Sequence, residues 1–176
     1  MATILYATTK ENIFCKQETL DKKIDDLEWM RISTDRKFFR EFTTIHENQP
    51  ILVGYKTARV MPRLNDREVV LLSTIPARGM LLSQALQQYP TGIVIGGVSI
   101  LKHAMSNKHR QYINSVITVR LPITVPDSND KKKYILDPLL DIKKSGLLRL
   151  SSKFYIYSEN FEQPTIIAEF WRPIDA

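Results

Sequence analysis

The chain has 176 residues, 43% of them hydrophobic, which is enough for one filled core and close to the usual size of a single domain spanning 1–176. Its formal charge of +6 suits nucleic acid, an acidic surface or a polyanionic small molecule, but charge alone does not choose among them. The densest basic runs, Lys108-His109-Arg110 and Lys131-Lys132-Lys133, carry no interleaved aromatics and read as solvated loops, so no nucleic-acid partner is expected.

No apolar run is long enough to span a membrane, and the opening MATILYATTKEN lacks the charged-then-apolar pattern of a secretory signal. The expectation is a soluble, cytoplasmic protein with no membrane partner. Cys15 has no second cysteine to pair with, and His46, His103 and His109 show no catalytic or metal-ligating spacing, so no metal site is expected.

In chain order, Thr3–Thr8 reads as a buried strand and Thr9–Glu28 as a polar, glycine- and proline-free loop or lid. Ser33 or Thr34 can cap a helix reaching about Thr44, with Asp35 in its first turn and Ile32, Phe38, Phe39 and Phe42 on one broad face. Pro50–Gly54 predicts a strand ending in glycine, followed by a short helix over Tyr55–Met61 and a strand over Glu68–Ser73. Ser83–Tyr89 predicts a helix, Gly92–Gly97 a strand ending in paired glycines, and Val98–Ser106 a second strand-fed helix. Asn114–Leu121 is strand-like, a short segment follows near Pro138, and Leu147–Ser158 with Thr165–Arg172 predicts a terminal antiparallel hairpin.

Two glycine-ended strands that feed helices are a physical recipe for binding phosphate, because unpaired helix N–H groups and the helix dipole favour anions. The junctions are Gly54-Tyr55-Lys56-Thr57 and Gly96-Gly97-Val98-Ser99, and neither matches the GxGxxG fingerprint or the GxxxxGK[ST] phosphate loop. Taken in order, the residues resemble dihydrofolate reductase over nearly the whole chain. Trp29, Asp35 and Phe39 within Leu27–Thr43 are similar to that family's tryptophan, acidic residue and phenylalanine. Ile51–Pro62, with Thr57, is similar to its Gly-basic-x-Thr-Trp stretch and Arg63–Ser73, with Arg67 and Ser73, to its Leu-x-Gly-Arg-x-x-x-x-Leu-Ser stretch, and Val94–Met105 matches its Ile-Gly-Gly pattern.

The resemblance implies an α/β, three-layer, dihydrofolate-reductase-like fold: a mostly parallel central sheet with a C-terminal antiparallel hairpin. It implies NADPH-dependent reduction of 7,8-dihydrofolate in a monomer that also binds antifolates such as methotrexate or trimethoprim. Asp35 would be the catalytic carboxylate, holding the pterin's amidine-like edge while burial raises its pKa. Leu5, Tyr6, Ala7, Leu27, Phe39, Arg67 and Thr118 would complete the substrate site, with Arg67 pairing the substrate's terminal carboxylate. Ala7, Ile13, Gly54, Tyr55, Lys56, Thr57, Ser73, Thr74, Arg78, Gly96, Gly97, Val98, Ser99, Ile100 and Leu101 would hold the cofactor, with Lys56 and Arg78 as candidates for the 2′-phosphate.

The chain departs from the pattern at several places. Glu28 stands where proline is usual, Ala58 where tryptophan follows the threonine, and Leu101 where tyrosine is usual. Lys10–Glu28 is longer and more charged than the family's glycine-containing lid. Thr118 lies one place from the threonine expected near the carboxylate, and in strict register Val119 takes that place. Two other readings follow: a reductase of this fold acting on another pterin or pyrimidine, and a non-catalytic binding or structural descendant.

Overall fold

The computed structural model describes residues 1–16, 32–45, 49–125, 134–157 and 166–174. Nine strands and five α-helices are seen among them: β1 (Ala2–Thr9), β2 (Ile13–Lys16), α1 (Ser33–Ile45), β3 (Ile51–Gly54), α2 (Tyr55–Ala58), β4 (Val69–Leu72), α3 (Leu82–Gln88), β5 (Ile93–Gly96), α4 (Val98–Ala104), β6 (Ile113–Leu121), β7 (Tyr134–Leu136), α5 (Leu140–Lys144), β8 (Leu148–Ile156) and β9 (Ile166–Pro173). Every strand and helix expected from periodicity and punctuation is present within a few residues of its predicted limits. The predicted helix over Tyr55–Met61 is shorter, ending at Ala58. The polar segment after β1 carries a strand, β2, that pairs antiparallel with β7. Residues 17–28 of the expected lid lie outside the described residues.

Seven strands form one sheet in the order β4-β3-β5-β1-β6-β9-β8. Pairing is parallel from β4 across to β6 and antiparallel over β6-β9 and β9-β8. The parallel strands are near-continuous apolar runs such as ILVG and IVIG because both of their faces are covered.

Side chains alternate across each strand, so the core divides into two layers. Ile4, Tyr6, Val94 and Val116 pack with Leu82, Leu86, Leu101 and Leu139, under α3, α4 and the start of α5. Leu5, Ile93, Ile117 and Val119 face the other way, toward Phe38, Phe39 and Phe42 of α1 and the β2-β7 ribbon. Leu52, Leu86 and Leu101 are completely enclosed, so truncating any one to alanine costs roughly 2–5 kcal/mol.

Helix α1 forms because thirteen residues without glycine or proline place apolar side chains at 38, 39 and 42, and Asp35 lies in the first turn, where the dipole favours negative charge. No described helix is long and apolar enough to cross a membrane.

Candidate functional site

Helix α1 crosses the face of the sheet on which Leu5, Ile117 and Val119 lie, and it carries the first candidate group. Burial raises the Asp35 carboxyl from 3.8 to about 6. Among the described residues no cation or hydrogen-bond donor is paired with it. Phe39 follows one helical turn later on the same side and packs in the α1 layer.

One turn further along, Thr43 donates its hydroxyl to the Phe39 carbonyl at 2.7 Å and accepts from Arg67 Nη1 at 2.8 Å. The Arg67 guanidinium lies 6.0 Å from the Phe39 ring centroid and donates through Nε to the Asn65 carbonyl. Partial desolvation lowers its pKa, followed by repulsion from Arg40, with Asp66 acting in the opposite sense. Asp35 and Phe39 lie on α1, and Arg67, from the segment before β4, docks beside its last turns, so a carboxylate lies at one end of the helix and a guanidinium at the other. Thr43, which seats the arginine, carries no motif of its own; its place one turn after Phe39 was the available signal.

A groove of about 790 Å³ adjoins Arg67 on the side of α2 and β4, floored by Val53, Ala58, Met61, Leu64, Val69 and Leu71. The small Ala58 side chain lines this space instead of filling it, and Asp35 is not among the lining residues.

The two glycine-ended junctions meet. A Cβ on Gly97 would lie 2.7 Å from Thr57 Oγ1, and one on Gly54 would lie 3.1 Å from Ile100 Cγ1 and 3.5 Å from Gly97 N, so side chains are excluded from this seam. Gly96 has φ 126°, and a cis peptide bond joins it to Gly97. Val98, Ser99 and Ile100 open α4 directly after the seam, and Tyr55, Lys56 and Thr57 open α2. Lys56 and Ser99 are exposed. Arg59 and Arg78 hold their guanidinium carbons 5.9 and 5.5 Å from the Tyr55 ring centroid, which puts two cations beside the same junction. Ser73 uses its hydroxyl to accept from the Ile75 N–H, and Thr74 is exposed beside it. Leu101 is wholly buried in the core under α4, so its side chain packs the helix against the sheet.

The remaining expected residues fall on two sides of β1. Leu5 and Ala7 pack in the α1 layer, and Ile13 of β2 joins them there. Tyr6 and Thr118 point to the opposite face, because strand alternation turns both away from α1. Their side chains do not join Asp35, and Val119 occupies the α1 side of β6. Leu27 lies outside the described residues. Cys15 is buried, which pushes its thiol up to about 11 and keeps it protonated.

On that opposite face lies a cluster the sequence reading did not single out. Tyr6 donates to Asp137 Oδ1 at 2.7 Å, Lys143 donates to Asp137 Oδ2 at 2.7 Å, and Lys143 also donates to Thr118 Oγ1 at 2.8 Å. Burial drives the Tyr6 hydroxyl well above its usual range, helped by Asp137, and pulls the Lys143 ammonium below the usual lysine range against the attraction of Asp137.

A parallel sheet with two abutting glycine-ended junctions, closed by an antiparallel C-terminal pair and crossed by a helix bearing a desolvated carboxylate, defines a dihydrofolate-reductase-like α/β domain. Among solved structures the chain is similar to dihydrofolate reductase from Enterococcus faecalis complexed with NADP(H) and RAB-propyl. The TM-score is 0.67 at 16% identity, with 99% of this chain and 97% of that chain covered. The chain has the dihydrofolate reductase fold, and the resemblance read from its residues holds at the level of the fold. No protein-family model matches it, and no curated protein matches it in sequence.

Proposed function

We propose that the protein is an NADPH-dependent reductase of 7,8-dihydrofolate, with Asp35 as the catalytic acid-base group. The observation that carries this reading is Asp35 itself: a carboxyl held near pKa 6 by burial, without a cation partner among the described residues, on the helix that also presents Phe39 and seats Arg67.

The residues at the two junctions fit a dinucleotide. Gly54 and Gly97 let the two junctions pack closely, Gly97 against Thr57 and Gly54 against Ile100, and the N–H groups of Val98, Ser99 and Ile100 with those of Lys56 and Thr57 suit its phosphates. When bound, the reduced nicotinamide supplies hydride to the pterin carbon. Asp35 accepts two hydrogen bonds from the amidine-like edge and orients the ring, and its elevated pKa lets it hold or release a proton near neutrality for relay to the ring nitrogen. Leu5, Ala7 and Phe39 supply the apolar walls that exclude water from this step. Arg67 meets the substrate's terminal carboxylate, and the groove beside it leaves room for the substrate's tail. Antifolates would compete at the same carboxylate.

The test follows loss of reduced-nicotinamide absorbance with NADPH and dihydrofolate, for the unaltered protein and for Asp35→Asn. Turnover is expected, falling by about 10²-fold or more in the variant. Turnover that is equal in both proteins places the acid elsewhere. If the unaltered protein binds NADPH and methotrexate without turnover, it is a binding descendant of the fold.

A further inference from the structure

Lys143 leaves α5 with its ammonium in the interior. It is 2.7 Å from Asp137 Oδ2 and 2.8 Å from Thr118 Oγ1, and the rings of Tyr6 and Trp171 stand 5.2 and 5.0 Å away. The lysine and aspartate side chains are 5% and 0% exposed. A buried ion pair of this kind is no better for stability than apolar side chains of the same volume, because both ions must give up their water. Its distinctive property is geometric: the pair fixes what it is bonded to.

The groups it fixes border the proposed site. Asp137 Oδ1 accepts from Tyr6 Oη, and the Asp137 N–H donates to the Asn12 carbonyl at 2.7 Å, at the turn between β1 and β2. Tyr6 sits between Leu5 and Ala7, and its ring meets Phe14 of β2 edge-on at 5.9 Å. Phe14 Cζ is in turn the nearest atom, at 3.9 Å, to the place a Cβ on Gly96 would occupy. Direct contacts run from the ammonium to Phe14, whose side chain stands nearest to the Cβ position of Gly96, and a second branch reaches the β1-β2 turn at Asn12.

We propose that Lys143 is a positioning residue: acting through Asp137, it fixes Tyr6 and Asn12, and with them the β1-β2 wall that faces Gly96. That this wall receives a nicotinamide rests on the function proposed above; that Lys143 holds the wall does not.

Two readouts separate the claims: amide hydrogen exchange across Thr9–Lys16, and the NADPH dissociation constant, both measured well below the melting transition. Lys143→Met is compared with Leu148→Ala, a core truncation that lowers stability and removes none of the network's hydrogen bonds. Lys143→Met is expected to speed exchange across Thr9–Lys16 and to weaken NADPH about tenfold, equivalent to about 1.4 kcal/mol. Leu148→Ala is expected to do neither. In the double variant Lys143→Met/Asp137→Asn, the amide keeps an acceptor for Tyr6 without a stranded charge, so both readouts are expected to return toward the unaltered values.

Exchange and affinity that move no more in Lys143→Met than in Leu148→Ala overturn the proposal. Should Lys143→Met fail to fold, Tyr6→Phe deletes only the hydroxyl on the same path; a smaller shift of the same sign supports the assignment, and no shift overturns it. If exchange responds but the unaltered protein binds no NADPH, the positioning role stands and the nucleotide reading falls.

Discussion

Asp35 and Asp137 are two desolvated aspartates on opposite faces of one sheet, the first half-buried and the second fully enclosed, and they differ most in their partners. Asp137 has Lys143 at 2.7 Å, the Tyr6 hydroxyl at 2.7 Å and the Leu139 N–H at 2.8 Å, so both of its oxygens are committed. Asp35 has no such partner among the described residues, and its pKa is displaced to about 6 by burial alone. A carboxylate that is paired spends its charge on holding strands in place. One left unpaired in an apolar layer keeps its charge and proton for a ligand, and folding bears the cost.

Breaking the two sites should therefore move stability in opposite directions. Lys143→Met strands Asp137 and is expected to lower the unfolding free energy by about 3–5 kcal/mol, read from urea denaturation. Asp35→Asn is expected to raise it by about 1–3 kcal/mol at pH 8, after discounting for partial solvent access. The sign follows from the raised pKa. The folded state holds the Asp35 proton more tightly than the unfolded chain, so this group's penalty is absent below the unfolded value of 3.8, grows as pH rises, and is complete above about 6. Denaturation of both proteins from pH 4 to pH 8 checks this: the gap between them should open across that window. A loss of stability in Asp35→Asn at pH 8 would mean the carboxylate has a partner after all.

The far end of α1 sharpens the contrast at a smaller scale. Arg67 is held by Thr43 and Phe39 and lines the groove beside α2, where the proposed function has it meet an anion. Arg67→Lys keeps the charge and loses the planar fork, so the dihydrofolate KM is expected to rise about tenfold with kcat little changed. A pterin lacking the glutamate tail is the control. If its KM rises equally, Arg67 acts by bracing α1 and not by meeting a carboxylate.

The fold was legible because its strands are short apolar runs punctuated by glycine and proline, as at Pro50–Gly54 and Gly92–Gly97, and because α1 shows its apolar face at 38, 39 and 42. Of the short elements, β2, β7 and α5 were not, because they lack the glycine- or proline-bounded apolar run that marked β3 and β5. Near Pro138 the Asp137 side chain accepts from the Leu139 N–H just before α5. The candidate site was legible where its members share one helix or one junction. Tyr6, Asp137 and Lys143 join across 131 residues of chain, and no local pattern announces a contact of that range.

Thr118 is where the register decides, and it supplies the finest test. Side chains on β6 alternate, so a shift of one residue exchanges the Asp35 layer for the Lys143 layer. Thr118 pairs with Tyr6 of β1 and with Glu169 of β9, and its hydroxyl accepts from Lys143, while Val119 packs toward α1. Thr118→Val preserves shape and removes one acceptor from an ammonium that keeps Asp137. The expected cost is about 1–2 kcal/mol of unfolding free energy by urea denaturation. The pH dependence of turnover should stay fixed, since the hydroxyl does not face Asp35. A displaced pH profile with unchanged stability would instead put Thr118 on the carboxylate's side of the sheet and make Val119 the residue facing Lys143.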